Sequence, residues 1–144
     1  MLLGGVEAHL KIVNKFQTAE ELLERIRSAD LSYHERAYLF VLAALEYCQQ
    51  RRELRGHISG QELAEACRDF ALEQFGLTAR TVLSYWGIHT TEDIGRIVFL
   101  LIEVGLLMKQ DSDRLEDFHA VYDFEEDFEE RYPWQAVKHA GKRI

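Results

Sequence analysis

Apolar positions recur at helical spacing along most of the chain, and the polar residues between them mark helix starts. Three of these starts share one form. Thr18 with Glu21, Ser32 with Glu35, and Ser59 with Glu62 each fit the capping box, where hydroxyl and carboxylate satisfy a first turn's free amides. The first predicts a helix over AEELLERIRS, with Leu22, Leu23 and Ile26 on one side. The second opens YHERAYLFVLAALEYCQQRREL, whose Tyr38, Val41, Leu42, Leu45 and Cys48 form a stripe. The third opens GQELAEACRDFALEQF, and Gly76 fits a left-handed stop. A short helix, LTARTVLSYW, then runs to Gly87, and the N-terminal VEAHLKIVNKF also reads as helical.

Thr90 or Thr91 caps one more helix, which runs to about Val104 and is ended by Gly105. Its polar residues Glu92, Arg96 and Glu103 share a narrow strip with Phe99 beside it. Ile94, Ile97, Val98, Leu100, Leu101, Ile102 and Val104 fill most of the remaining circumference. A helix apolar over so wide an arc must be covered on several sides. It does not read as a membrane span. The run from Ile97 to Met108 is about 18 Å long as helix, a bilayer core needs about 30 Å, and Glu103 and Gly105 interrupt it. After Gly105 the period changes. LLMKQ reads as a strand, DSDR as a turn and FHAVYDF as a returning strand, which predicts an antiparallel hairpin over 106–123 packed on helix 91–104. The expected fold is mainly α, a helical domain with a winged-helix-like unit of three helices plus one β-hairpin. A chain of 144 residues suits one domain: N-terminal helices over 1–55, the winged-helix-like core over 56–123, and an acidic-aromatic helix with a basic tail over 124–144.

The segments SGQEL (59–63), ALEQFG (71–76), TVLSYWGI (81–88), TEDIGRIVFLLIEVGLL (91–107) and DFHAVYDF (117–124) together resemble an uncharacterised bacterial family described mainly from Verrucomicrobia and Planctomycetes. The upstream YHERAYLFVLAALEY (33–47) is similar to that family's leading helix. The resemblance covers roughly residues 22–128. It implies a soluble single domain of unknown function and carries no activity or site residue with it.

Charge changes the picture, because it is segregated. The net charge is −8, yet Asp111 to Glu130 holds ten acids and one arginine, and the tail from Arg131 holds four bases and no acid. A nucleic-acid partner calls for the opposite sign. The N-terminus MLLGGVEAHLKIV has neither a basic n-region nor a long apolar h-region, so no signal peptide is expected and a cytoplasmic location is. Cys48 and Cys67 sit on apolar faces and read as reduced core thiols.

The remaining chemistry is sparse. An EF-hand loop starting at Asp111 fails, since Leu115, Glu116 and Tyr122 stand where a ligand, a glycine and a glutamate are needed. The histidines His9, His34, His57, His89, His119 and His139 show no zinc spacing, so neither metal nor cofactor is expected. His119 near Asp117 and Asp123 offers an acid–base pair if the strand forms, or only a polar face. Tyr85 and Trp86 before Gly87 would either cage a ligand or plug the core under a turn. RRELR (51–55) could meet phosphate or simply end a helix. In YDFEEDFEERYPW, Phe124, Phe128 and Tyr132 recur on one helical face with acids between them. Either they pack on their own domain, or with Glu125, Glu126 and Glu129 they dock into a basic partner.

The favoured reading is a non-enzymatic protein–protein interaction or adaptor module with an unknown, basic partner. Phe99 or Leu100 would open onto a homodimer contact. A winged-helix DNA-binding regulator is the alternative, opposed by Glu92 and Asp93 on the recognition helix and Asp111 and Asp113 on the wing. A small enzyme with its site near the hairpin is a second alternative, although nothing organises a nucleophile or oxyanion donor there.

Overall fold

The computed structural model describes residues 11–12, 19–29, 32–51 and 58–130, and the protein is mainly helical. In chain order come strand β1 (Lys11–Ile12) and helices α1 (Ala19–Ser28), α2 (Glu35–Arg51), α3 (Gly60–Phe75), α4 (Ala79–Tyr85) and α5 (Thr91–Glu103). Strand β2 (Leu107–Met108), a 3-10 turn at Leu115–Phe118 and a π turn at Glu126–Glu130 follow. No described helix is long and apolar enough to cross a membrane.

Local chemistry sets the helix ends. The Ser59 hydroxyl accepts from the Glu62 amide at 3.1 Å while the Glu62 carboxylate accepts from the Ser59 amide at 2.9 Å, so the third predicted capping box forms. Gly76 ends α3 at φ +54°, a conformation that penalises any side chain. Thr90 caps α5 in the same reciprocal way with Asp93. The start of α2 differs from expectation: the Arg36 amide donates to His34 Nδ1 at 3.0 Å, and Arg27 engages the Glu35 carboxylate at 2.8 and 3.1 Å. Thr18 lies outside the described residues.

Helix α5 sits at the centre. Thr91, Ile94, Gly95, Ile97, Val98 and Leu101 are buried, and α2, α3, β2 and the 115–118 turn all pack on it. Its wide apolar arc is thus covered mainly by its own chain. Arg25 Nη2 donates to the Val104 carbonyl at 2.7 Å, closing the helix's C-terminal end with a cation where the dipole favours one. Helix α2 buries Tyr38, Phe40, Val41, Leu42, Leu45 and Cys48 against the same core. Cys48 and Cys67 are buried, and burial pushes the Cys67 thiol up. Cys67 should therefore resist iodoacetamide in the native protein and react once urea unfolds it. Peptide mass spectrometry reads this, and equal labelling rates in both states would contradict the packing.

Two sequence expectations are corrected. The hairpin over 106–123 does not form: β2 is the strand of that stretch, and it pairs antiparallel with β1, Lys11 opposite Met108 and Ile12 opposite Leu107. So the three helices of the expected winged-helix-like unit are present in order, without a wing made from 106–123. For the same reason VEAHLKIVNKF is not helical at Lys11 and Ile12. The physical cause lies in the acids of the loop. Asp113 accepts from the Gln110 amide at 2.9 Å and Asp117 from the Arg114 amide at 3.1 Å, which folds the chain into tight turns. Phe118 is then driven between two glycines. A Cβ added at Gly60 or Gly95 would stand within 2.9 Å of Phe118 atoms, so only hydrogen at both positions leaves the notch open.

Candidate functional site

Helix α4 is too short to bury much of itself. Ala79 and Leu83, one turn apart, face the core. Thr81, Ser84 and Tyr85 face outward, with Tyr85 78% exposed, and Leu77, 60% exposed, lies in the 3-10 turn Gly76–Thr78 just before the helix. Trp86 turns the other way, half-buried, with its ring 5.7 Å from Phe75 and 5.8 Å from Phe40. Of the two aromatics before Gly87, Trp86 therefore plugs the core and Tyr85 stands on the surface, 5.8 Å from the His34 ring.

The acidic segment borders this helix. The rings of Phe124 and Phe128 meet edge-on at 5.0 Å, Tyr122 stacks on Phe124 at 5.7 Å, and both phenylalanines are buried. This corrects the docking reading for those two residues: their aromatic faces are consumed by the domain's own core. Tyr122 donates its hydroxyl to the Ala64 carbonyl at 2.7 Å. Arg68 lies over the Tyr122 ring at 5.3 Å and pairs with buried Asp127 at 3.0 Å. Burial alone would lower the Arg68 pKa, but Asp69 and Asp127 raise it overall. Glu125, Glu129 and Glu130 stay exposed and Glu126 is half-buried. Tyr132, the third aromatic of the stripe, lies outside the described residues.

The two surfaces meet in an open groove of about 430 Å³ lined by Arg80, Thr81, Ser84, Tyr85 and Glu129. Arg80 and Glu129 bridge it at 3.0 Å. Of the residues singled out from the sequence, Glu129 reaches this groove. Phe99 and Leu100 do not line it; both are half-buried against the core on α5. Leu77 and Arg80 went unnoticed in the sequence. Leu77 lies in the 3-10 turn that separates α3 from α4, where the helical period no longer reports exposure.

Two polar clusters lie elsewhere. His119 pairs with Glu92, Nδ1 to Oε2 at 2.9 Å, and not with Asp117 or Asp123. Asp117 accepts from the Arg114 amide and Asp123 from the Glu126 amide. Glu92 also accepts from the Ala120 amide at 3.1 Å, and the Thr91 hydroxyl donates to the Phe118 carbonyl at 2.7 Å. This cluster latches the 118–121 loop to the start of α5, holding Ala120 at φ +47°. The second cluster centres on Asp93, which accepts from Tyr33 and Arg96 on one oxygen and from the His89 and Thr90 amides on the other. Burial and the bond to Asp93 push the Tyr33 phenol up to about 12. The donors engage both oxygens of the carboxylate. Among the described residues, no group of three or more His, Cys, Asp or Glu is placed to hold a metal ion. Comparison with known proteins finds no matching family model, curated protein or solved structure.

Proposed function

We propose that this protein is a protein–protein interaction module that uses the outer face of α4 and the acidic turn beside it. The observation that carries this reading is the exposed pair Tyr85, at the end of α4 beside the groove, and Leu77, in the 3-10 turn just before the helix. Exposed apolar side chains gathered on one face, with charged residues at the rim, are the usual mark of a contact surface. The saturated carboxylates of Asp93 and Glu92 favour this reading over an enzyme, since each is already committed to holding the chain in place. The DNA-binding alternative has little support. Helix α5, which would have to enter a groove, keeps only Arg96 and Glu103 fully exposed.

The test is site-specific photocrosslinking in the native cell. A benzophenone amino acid placed at Thr81 should give a discrete adduct of higher mass, whereas the same residue at exposed Glu46 on α2 should not. An adduct containing two copies of this chain would instead make the face a homodimer contact. No adduct at Thr81, or identical adducts from both positions, would remove the basis for the proposal.

A further inference from the structure

We infer that the 118–121 loop is a proton-controlled latch, closed by the imidazolium form of His119 on Glu92 and loosened when that ring gives up its proton.

The loop is fastened to two consecutive residues of α5. His119 Nδ1 lies 2.9 Å from Glu92 Oε2, and the Ala120 amide donates to the same oxygen at 3.1 Å. The Thr91 hydroxyl donates to the Phe118 carbonyl at 2.7 Å and accepts from the Val121 amide at 3.2 Å. Between these bonds Ala120 is held at φ +47°. A residue with a Cβ is disfavoured there by about as much as one ordinary hydrogen bond stabilises. The closed loop is therefore poised. Weakening one fastening shifts its balance toward forms in which Ala120 returns to a negative φ.

The fastening from His119 is the one that answers to pH near neutrality. Its side chain is 77% exposed, so solvent protons reach the ring. Histidine is the side chain whose charge ordinarily changes near pH 6.5. As imidazolium it gives Glu92 a charge-assisted bond. As neutral imidazole it offers an Nδ1 proton in one tautomer alone, and without the charge. Glu92 stays ionised throughout that range. Burial by itself pushes its carboxyl up, but the bonds from its own amide and the Ala120 amide, and the charge of His119, hold it below the usual carboxylate range.

The neighbouring charges are compatible with this. Helices α5 and α3 pack on the 115–118 turn. On α5, Asp93 and Arg96 pair with each other at 2.6 Å, and on α3 the Glu62 carboxylate accepts from the Ser59 amide. Glu116 and Asp117 precede the ring on its own turn, and their sign favours the imidazolium, with Arg114 further back. The latch is thus tightest between the titration of Glu92 and that of an imidazole, and it loosens as pH rises through the latter.

The experiment measures exchange of the Ala120 and Val121 amide protons with water by NMR on the full chain. Each rate is divided by the intrinsic rate of an unprotected amide at the same pH. Measurements at about pH 5.5 and about pH 8 bracket the imidazole range. In the parent protein the ratio should rise about two- to fivefold at the higher pH, the size expected of an exposed ion pair. In His119→Gln, which keeps a neutral donor, the ratio should be the same at both pH values, and Glu92→Gln should also remove the pH dependence. The amide of buried Val98, in the middle of α5, reports wider opening and should not change. No rise in the parent, a rise that survives either substitution, or one that Val98 shares equally overturns the proposal.

Discussion

Phe118→Ala is expected to lower folding stability by about 3–5 kcal/mol, the range for emptying an aromatic site in a core. Phe118 is 2% exposed, and it is held from two helices at once by the glycine notch of Gly60 on α3 and Gly95 on α5. Its carbonyl accepts from the Thr91 hydroxyl, so losing the ring also loosens the anchor of the 118–121 loop. The notch makes a sharper, second expectation. Gly95→Ala should remain costly in the Phe118→Ala background, because the Cβ of residue 118, which alanine keeps, is itself 2.8 Å from the added methyl. Gly60→Ala should be partly relieved there. Two of its three closest obstructions are the ring atoms Cε2 and Cζ, and only the Asp117 Cβ at 2.9 Å remains. Urea denaturation of the two double-mutant cycles measures the difference. Phe118→Ala within about 1 kcal/mol of the parent protein would mean that the ring is not the wedge it resembles.

This wedge explains why the stretch resembles a hairpin in sequence. Phe118, Val121, Tyr122 and Phe124 look like the β-formers of a returning strand, but each packs against the core from the 3-10 turn or from the segment that follows it. Burial and strand propensity leave the same trace in so short a stretch. The pairing of Leu107–Met108 with Lys11–Ile12 joins residues about two-thirds of the chain apart, and periodicity does not report partners at that range. What was legible was local. The Ser59–Glu62 box depends on residues three apart, and α3 begins where that pair predicts; α5 begins after Thr90, one of the two caps the sequence offers. The candidate site divides in the same way. The exposed glutamates followed from their helical spacing against Phe124 and Phe128. The groove needed Arg80, whose partner Glu129 lies 49 positions further along and meets it only after folding.

Asp93→Asn is expected to cost about 2–3 kcal/mol at neutral pH, because one carboxylate satisfies several partly buried donors. Oδ1 accepts from the Tyr33 hydroxyl at 2.7 Å and Arg96 at 2.6 Å, and Oδ2 from the His89 amide at 2.8 Å and the Thr90 amide at 3.2 Å. An amide has one oxygen to offer. Whichever way Asn turns, its NH2 group faces one of these pairs of donors. Charge matters as well as shape. Burial by itself pushes the Asp93 carboxyl up, but the bonds from Tyr33, His89 and Thr90 and the charge of Arg96 hold it below the usual carboxylate range. A carboxyl depressed in the folded state contributes fully above its unfolded pKa of about 3.9 and loses that contribution as pH falls through the folded value. The stability gap between parent and Asp93→Asn should therefore hold from neutral pH down to the region of that unfolded value and narrow below it. Other depressed carboxyls, such as Glu92, contribute to the acid lability of both proteins and cancel in the difference. Urea unfolding at neutral pH and again well below the unfolded carboxyl pKa reads the gap directly. A gap of the same size at both would assign the cost to the shape of the carboxylate alone, and no gap at neutral pH would mean that Asp93 does not hold Tyr33 and the α5 cap together.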